Sequence, residues 1–167
     1  MRLIDPSIME LDREASSTRK MLERVPEGKY EWAPHPKSMT LGKLATHLAT
    51  LPRLSNMLKD DGFDVGLTSV GVPPTPPTTA GLVALFDKSI EDAKGVLSSL
   101  DDAKAMAPWT LSMKGKAVFS MPRLAVVRTM ILNHSVHHRG QLSVYLRLLD
   151  VPVPATYGPS ADENPFA

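Results

Sequence analysis

The fold of this chain is decided by a helical segment that contains the stretch Asn133-His134-Ser135-Val136-His137-His138-Arg139-Gly140-Gln141-Leu142. His134 and His138 are four residues apart, so on a helix their imidazoles lie on one face, about 6 Å apart along the axis. Two imidazoles in this arrangement can hold one divalent cation between them. The stretch therefore predicts a helix and a candidate metal site, and it does not reveal a substrate.

A third histidine, His47, lies far upstream in a second segment with helical spacing. It falls within an apolar stripe made of Leu44, Leu48, Leu51, Leu54 and Leu58. A single histidine on such a stripe is usually a core residue bonded to a backbone carbonyl, and that is the simpler interpretation of His47 taken alone. A buried pair is different, because two imidazoles without partners are costly to bury together and a shared cation satisfies both. The three histidines together favour a metal site.

Outward from these histidines, the apolar periodicity predicts four helices. They run from Pro6 to Val25, from Ser38 or Thr40 to Asp60, from Thr79 to Leu100, and from Ser120 to Leu149. Asp5 and Ser120 are the expected N-caps of the first and fourth helices. Pro52 should kink the second helix one turn after His47, because it removes a backbone hydrogen bond. The kink is either a packing feature or a device that shapes the site.

The segments between the helices also carry signals. Residues 61–79 contain Pro73-Pro74-Thr75-Pro76-Pro77, which is typical of an extended crossover. Residues 109–119 predict a short β-hairpin that turns at Lys114-Gly115-Lys116. The expected fold class is all-α, in a single domain spanning residues 1–167. It is a four-helix bundle with a long crossover between helices 2 and 3 and a short β-hairpin before helix 4.

The composition is that of a soluble globular protein. The 167 residues carry a formal net charge of +1. Lys and Arg do not cluster, which argues against nucleic-acid and membrane partners. The chain has no cysteine, so a disulfide framework, a thiolate metal site and a cysteine nucleophile are excluded. No apolar run is typical of a signal peptide or a membrane span, so a cytoplasmic protein is expected.

Three residues near the histidine pair are candidates for catalytic work. Gln141 returns to the face of His134, where it could orient a bound water or a ligand imidazole, or line a wet pocket. Tyr145 on the same face could donate a hydrogen bond into the site or belong to the core. His137 lies on another flank, where it could donate to a ligand, act as a base or contact a neighbouring helix.

Four other polar residues are assigned no role in the site. Arg139 and Arg147 point away from the apolar stripe and are expected at the surface or at an interface. His35 and Asp64 are expected in loops.

The ligand set suggests what a bound metal would do. Three neutral histidines leave at least one coordination position open, which is typical of a catalytic centre and not of a closed structural site. Such a metal can lower the pKa of a bound water or thiol and polarise a carbonyl. Imidazole suits zinc, nickel, copper and ferrous iron. Zinc is expected first, by availability, and nickel second.

The same residues resemble the DinB family, also described as DinB/YfiT-like, over nearly the whole chain. The similarity lies in Tyr30–Leu41 leading to Leu44–Leu48, in Trp109 with the Gly115-Lys116 turn, in Asn133–Leu142, and in the tail Pro152–Ser160. Asp150 departs from it, because relatives often have a glycine there. The resemblance implies a four-helix bundle, frequent homodimers, and a divalent-metal site at His47, His134 and His138. Better-understood relatives use the metal to activate a low-molecular-weight thiol for transfer or isomerisation.

Three hypotheses follow. The leading one is a metal-dependent transferase or hydrolase that acts on a small-molecule substrate, with a low-molecular-weight thiol as a candidate co-substrate. The second is a non-catalytic metal-binding or stress-response module, in which the open position holds only water. The third is a structural bundle whose histidines belong to the core.

Overall fold

The structure is a computed structural model, and it describes residues 1–67, 71 and 73–166. Its α-helices are α1 (Asp5–Leu22), α2 (Leu41–Thr50), α3 (Thr79–Ser98), α4 (Asp102–Met106), α5 (Arg123–Val126) and α6 (His134–Leu148). The described residues also form 3-10 helices over Glu27–Lys29 and Leu51–Lys59 and a π-helix over Val127–Asn133. Both α1 and α2 pack against α3 and against α6. The chain is mostly helical, as the predicted all-α class requires, and it also contains a small sheet.

A small sheet accompanies the helices. Its strands are β1 (Gly62–Asp64), β2 (Pro108–Met113) and β3 (Lys116–Pro122), in the order β1-β2-β3. The predicted hairpin is the antiparallel pair β2–β3. Its two-residue turn has positive φ at both positions, 50° at Lys114 and 79° at Gly115, which suits the right-handed twist of a hairpin. The parallel pairing of β1 with β2 was not predicted from the sequence.

Asp64 was expected in a loop, and this was wrong. It ends β1, and its carboxylate accepts hydrogen bonds from the backbone N–H groups of Lys114 (2.9 Å) and Gly115 (2.6 Å) in the hairpin turn. These bonds, with the one from Gly115 foremost, hold the pKa of Asp64 below its ordinary value. Asp64 therefore fastens β1 to the turn of the hairpin.

Two predicted N-caps are also wrong. Asp5 lies within α1, and its carboxylate accepts from the backbone N–H of Arg2 at 2.7 Å, so it stabilises the turn before the helix instead. Ser120 belongs to β3, because pairing with β2 continues as far as Pro108 opposite Pro122. The last helical stretch consequently begins at Arg123.

The second predicted helix changes type near Pro52, where a kink was expected. Thr40 caps α2 by accepting a hydrogen bond from the Lys43 N–H at 3.3 Å, as predicted for one of two candidate caps. The α-helix ends at Thr50, and the chain continues as a 3-10 helix over Leu51–Lys59. Proline has no N–H to give to the carbonyl four residues earlier, so the α-helical bonding ends here.

The third helix agrees with its prediction to within two residues and is capped by Thr78. Part of the Pro-rich crossover, residues 68–70 and 72, lies outside the described residues, and residues 73–76 have no regular secondary structure. Asp150 follows α6 in the left-handed conformation, with φ 56°, which aspartate tolerates better than most residues. Among the described residues, no helix is long and apolar enough to cross a membrane.

The buried side chains form two clusters. One lies between the main helices and contains Met21, Leu44, Leu48, Phe86, Leu142 and Leu146 among others. The other surrounds Trp109, which is 0% exposed and whose indole N–H donates to the Met57 carbonyl at 2.9 Å. The three histidines of interest lie on α2 and α6, the two helices that frame one side of the first cluster.

Candidate metal centre

His47 projects from α2, and His134 and His138 project from the first two turns of α6. Both helices bury leucines at neighbouring positions, including Leu44 and Leu48 on α2 and Leu142 on α6. The apolar stripe therefore turns each histidine toward the facing helix. The structure brings together the three residues that the sequence selected.

The three imidazoles converge on one point. His138 Nε2 is 3.1 Å from His47 Nε2 and 2.9 Å from His134 Nε2. Taking one ring nitrogen from each residue, all three atoms lie within 4.8 Å of one another, so the group could hold a metal ion. Zinc–imidazole bonds of about 2.0–2.1 Å place tetrahedral nitrogens about 3.3 Å apart, so the two distances to His138 Nε2 are slightly shorter than the spacing between zinc ligands.

The surroundings favour the uncharged form of each histidine. His138 is 7% exposed, and His47 and His134 are partly buried. Burial, together with smaller contributions from the neighbouring His138 and His134, lowers the pKa of His47 to about 4. Burial is also the main cause of the lowered pKa values of His134 and His138. A neutral imidazole is the form that ligates a metal, so the site is ready to do so at neutral pH.

Backbone and side-chain contacts orient the rings. A hydrogen bond to the backbone of Met130 opposes the fall in the pKa of His134, and one to Gln141 does the same for His138. The Gln141 Oε1 atom is 2.7 Å from His138 Nδ1. Second contacts of this kind fix which ring nitrogen is free to bind a metal.

The other two catalytic candidates, Tyr145 and His137, make contacts different from the one that Gln141 makes with His138. Tyr145 donates its hydroxyl hydrogen bond to the Met39 carbonyl at 3.1 Å and packs edge-on against Trp32, so its polar atom is already engaged. His137 is exposed, with its ring centroid 4.8 Å from that of His138. His35 is exposed in a loop, as expected.

The helix immediately before His134 has π geometry, over Val127–Asn133. An inserted π turn changes the direction in which the following residues point, and such turns are frequent at functional sites. The sequence showed only a continuous apolar period here, so the π turn was not predicted. No local residue type marks it.

Arg139 was expected at the surface or an interface, and this was wrong. It is 3% exposed and donates to the Glu14 carboxylate at 2.6 Å and to the Tyr157 hydroxyl at 2.5 Å. Tyr157 also donates to Glu14 at 2.7 Å. The network joins α1, α6 and the C-terminal tail next to His138. Glu14 at an inward position of α1, between Leu11 and Thr18, was the sequence signal for a buried cation. Arg147 is at the surface, paired with Asp162.

Comparison with known proteins decides the family. A model of the DinB superfamily matches residues 10–142, which include all three histidines. The chain belongs to the DinB superfamily. No curated protein matches this DinB chain.

Two solved structures share the fold. A DinB-like protein from Bacillus cereus superposes with a TM-score of 0.70 at 24% identity, covering 90% of this chain and 95% of that one. A DinB-like protein from Bacillus subtilis gives a TM-score of 0.69 at 18% identity, covering 91% and 97%. At these identities the similarity shows a common DinB-like fold and nothing further.

Proposed function

We propose that this DinB-superfamily chain binds one divalent metal ion through His47, His134 and His138 and uses it in a transferase or hydrolase reaction on a small molecule. The observation that carries this proposal is the convergence of three ring nitrogens from two helices within 4.8 Å. Three neutral imidazoles are a ligand set for zinc first and nickel second. The three ligands leave a coordination position for a water, a substrate or a low-molecular-weight thiol.

The chemistry would come from the combination of a cation and a partly buried site. A bound divalent ion lowers the pKa of a water or thiol in the open position and polarises a carbonyl. Because burial keeps the histidines uncharged at neutral pH, they would bind the cation without repelling it and without adding negative charge to the site. Partial burial by α2 and α6 limits the access of water and strengthens electrostatic interactions at the site.

Metal analysis of protein purified without a polyhistidine tag tests the proposal. We expect about one equivalent of zinc or nickel in the wild type, and a loss of most of it in His47→Ala, His134→Ala and His138→Ala. His137→Ala is the matched control, because His137 is exposed on the same helix, and it should retain the metal. Absence of stoichiometric metal from the wild type, after incubation with either ion, would leave only the structural-bundle hypothesis.

A second candidate function is a non-catalytic metal-binding module. It is favoured by the engagement of Tyr145 with the Met39 carbonyl and of Gln141 with His138, which leaves exposed His137 as the remaining candidate base. A screen of several low-molecular-weight thiols against a generic electrophile distinguishes the two functions. Metal-dependent turnover with any thiol supports the enzyme, and no turnover across the panel supports the module.

We further propose that α1, α2 with its 3-10 extension, α3 and the stretch ending in α6 form the four-helix bundle expected from the sequence. Each of α1 and α2 contacts both α3 and α6, which is the arrangement of four helices around a shared core. In this arrangement the site lies between two neighbouring helices of the bundle.

A further inference from the structure

Gln141 follows His138 by three residues on α6, so the two side chains are neighbours on the helix surface. Its Oε1 atom lies 2.7 Å from His138 Nδ1. An amide oxygen only accepts hydrogen bonds, so the proton of this bond belongs to the histidine ring. With Oε1 as the acceptor, this bond requires a hydrogen on Nδ1 of His138.

That proton determines what the other ring nitrogen can do. A neutral imidazole carries one N–H, so with Nδ1 protonated the lone pair of His138 is on Nε2. Nε2 is the atom that lies 3.1 Å from His47 Nε2 and 2.9 Å from His134 Nε2. The bond to Gln141 thus directs the lone pair of His138 toward the point where the three rings converge.

We propose that Gln141 is a positioning residue that holds His138 in its Nδ1–H tautomer and so prepares Nε2 to receive a divalent cation. The value of this role for metal binding rests on the proposed function. The role itself does not, because the tautomer is a property of the metal-free protein. In the described part of the chain, Gln141 is the hydrogen-bond partner of His138 Nδ1.

His134 provides a contrast within the same helix. The opposing contribution to its lowered pKa comes from the backbone of Met130 and not from a side chain. His138 instead depends on a side chain that can be changed without touching a ligand. Loss of such a partner typically lowers metal affinity 10–100-fold, because the ring is free to turn and to carry its proton on the wrong nitrogen.

The first measurement is the ¹⁵N NMR spectrum of the histidine rings in metal-free protein at neutral pH. We expect His138 to be an Nδ1–H tautomer in the wild type and in Gln141→Glu, whose carboxylate also accepts from Nδ1. The Nδ1–H population should fall in Gln141→Leu. Val144→Leu is the matched control, because Val144 is 56% exposed on the same helix, and it should leave the spectrum of His138 unchanged. A wild-type His138 with its hydrogen on Nε2 would overturn the proposal.

The second measurement is a competitive zinc titration of the same four proteins. Gln141→Leu should bind zinc 10–100-fold more weakly, while Gln141→Glu and Val144→Leu should remain within about threefold of the wild type. Equal affinities for Gln141→Leu and the wild type would show that Gln141 does not act on the metal. If the wild type itself binds no zinc or nickel, the proposed function fails, and the NMR result still decides whether Gln141 sets the tautomer.

Discussion

At the scale of single residues, the chemistry of the site follows from the removal of three imidazoles from water. Burial penalises the charged form of each ring, and close packing adds mutual repulsion, with His47 the most affected. The arrangement of rings that suits a metal cation therefore disfavours protonation of the same rings. The proposed metal binding and the expected acid sensitivity would both follow from this one geometry.

The lowered pKa of His47 predicts how the metal-free protein responds to acid. The folded pKa of about 4 lies below the ordinary value of 6.5, so the unfolded chain binds more protons between these values. The stabilising contribution is complete above pH 6.5 and is lost as the pH falls toward 4. We expect the melting temperature of the metal-free protein to fall across this window, as measured by thermal denaturation in matched buffers.

Two variants locate that effect. His47→Gln should weaken the dependence of the melting temperature on pH, because the most strongly perturbed imidazole is gone. His35→Gln changes an exposed loop histidine and should reproduce the wild-type curve. A wild-type melting temperature that stays constant from pH 7 to pH 4 would contradict the burial of neutral histidines.

At the scale of elements, the side chain of Arg123 forms hydrogen bonds that connect the start of α5 to the end of the 3-10 helix and to the start of β2. Arg123 is 4% exposed and begins α5. Its guanidinium donates to the carbonyls of Leu58 (3.0 Å) and Asp60 (2.8 Å) at the end of the 3-10 helix. It also donates to the carbonyl of Ala107, just before β2, and to the carbonyl of Pro108, the first residue of β2. The planar guanidinium serves these carbonyls because it presents several donors at once, and the Ala107 carbonyl also accepts from the backbone N–H of Arg123 at 3.2 Å.

Arg123→Lys should destabilise the protein although it keeps the charge. A single ammonium cannot reach all four carbonyls, and buried acceptors left without a donor cost about 1–3 kcal/mol each. We expect a loss of about 2–4 kcal/mol in the free energy of unfolding, measured by urea denaturation. Arg128→Lys is the control, because Arg128 pairs at the surface with Glu10, and it should lose less than about 1 kcal/mol. Equal losses in the two variants would contradict the role of Arg123.

The elements also show what the sequence could predict. Apolar periodicity located α1, α2, α3 and α6, because a helix that packs on a core must repeat its apolar side chains. The hairpin was predictable because Lys114-Gly115 is a turn that needs positive φ. By contrast, β1 is three residues long and depends on pairing with a strand far away in sequence, so it leaves no local pattern.

The candidate site likewise contains some features that the sequence could predict and others that it could not. His134 and His138 were predictable because four-residue spacing is a local property, and His47 because it interrupts an apolar stripe. The end of β3 at Pro122 and the π-helix after α5 depend on tertiary pairing and packing, which explains why Ser120 was taken for a helix cap. The burial of Arg139 depends on Glu14, 125 residues away, so Glu14 signalled a buried cation without identifying Arg139 as its partner.

At the scale of the whole molecule, a buried ion pair joins α1 to α6, and Tyr157 of the C-terminal tail bonds to it. Glu14 and Arg139 are 9% and 3% exposed, and Tyr157 of the tail donates to Glu14. The guanidinium carbon of Arg139 lies 5.1 Å from the centroid of the Tyr157 ring, within the range of a cation–π contact. The tail therefore covers a charge cluster beside the helix that carries His138.

Glu14→Gln tests the importance of this cluster. Removing one charge of a buried pair leaves the other uncompensated, which typically costs about 3–5 kcal/mol, and the retained amide should reduce that to about 2–3 kcal/mol. Glu10→Gln on the same helix is the matched control, since the Glu10–Arg128 pair is partly exposed and should contribute less than about 1 kcal/mol. Urea denaturation of both variants gives the comparison. Similar losses would mean that the Glu14–Arg139 pair behaves as a surface pair.

The most direct test of the three-histidine centre is a crystal structure of untagged, zinc-loaded protein with anomalous diffraction data collected on both sides of the zinc edge. We predict one anomalous peak between His47, His134 and His138, with three zinc–nitrogen distances of about 2.0–2.1 Å and a fourth position not filled by the protein. A peak that lies elsewhere, or a zinc ion that His47 does not reach, would contradict the shared centre between α2 and α6.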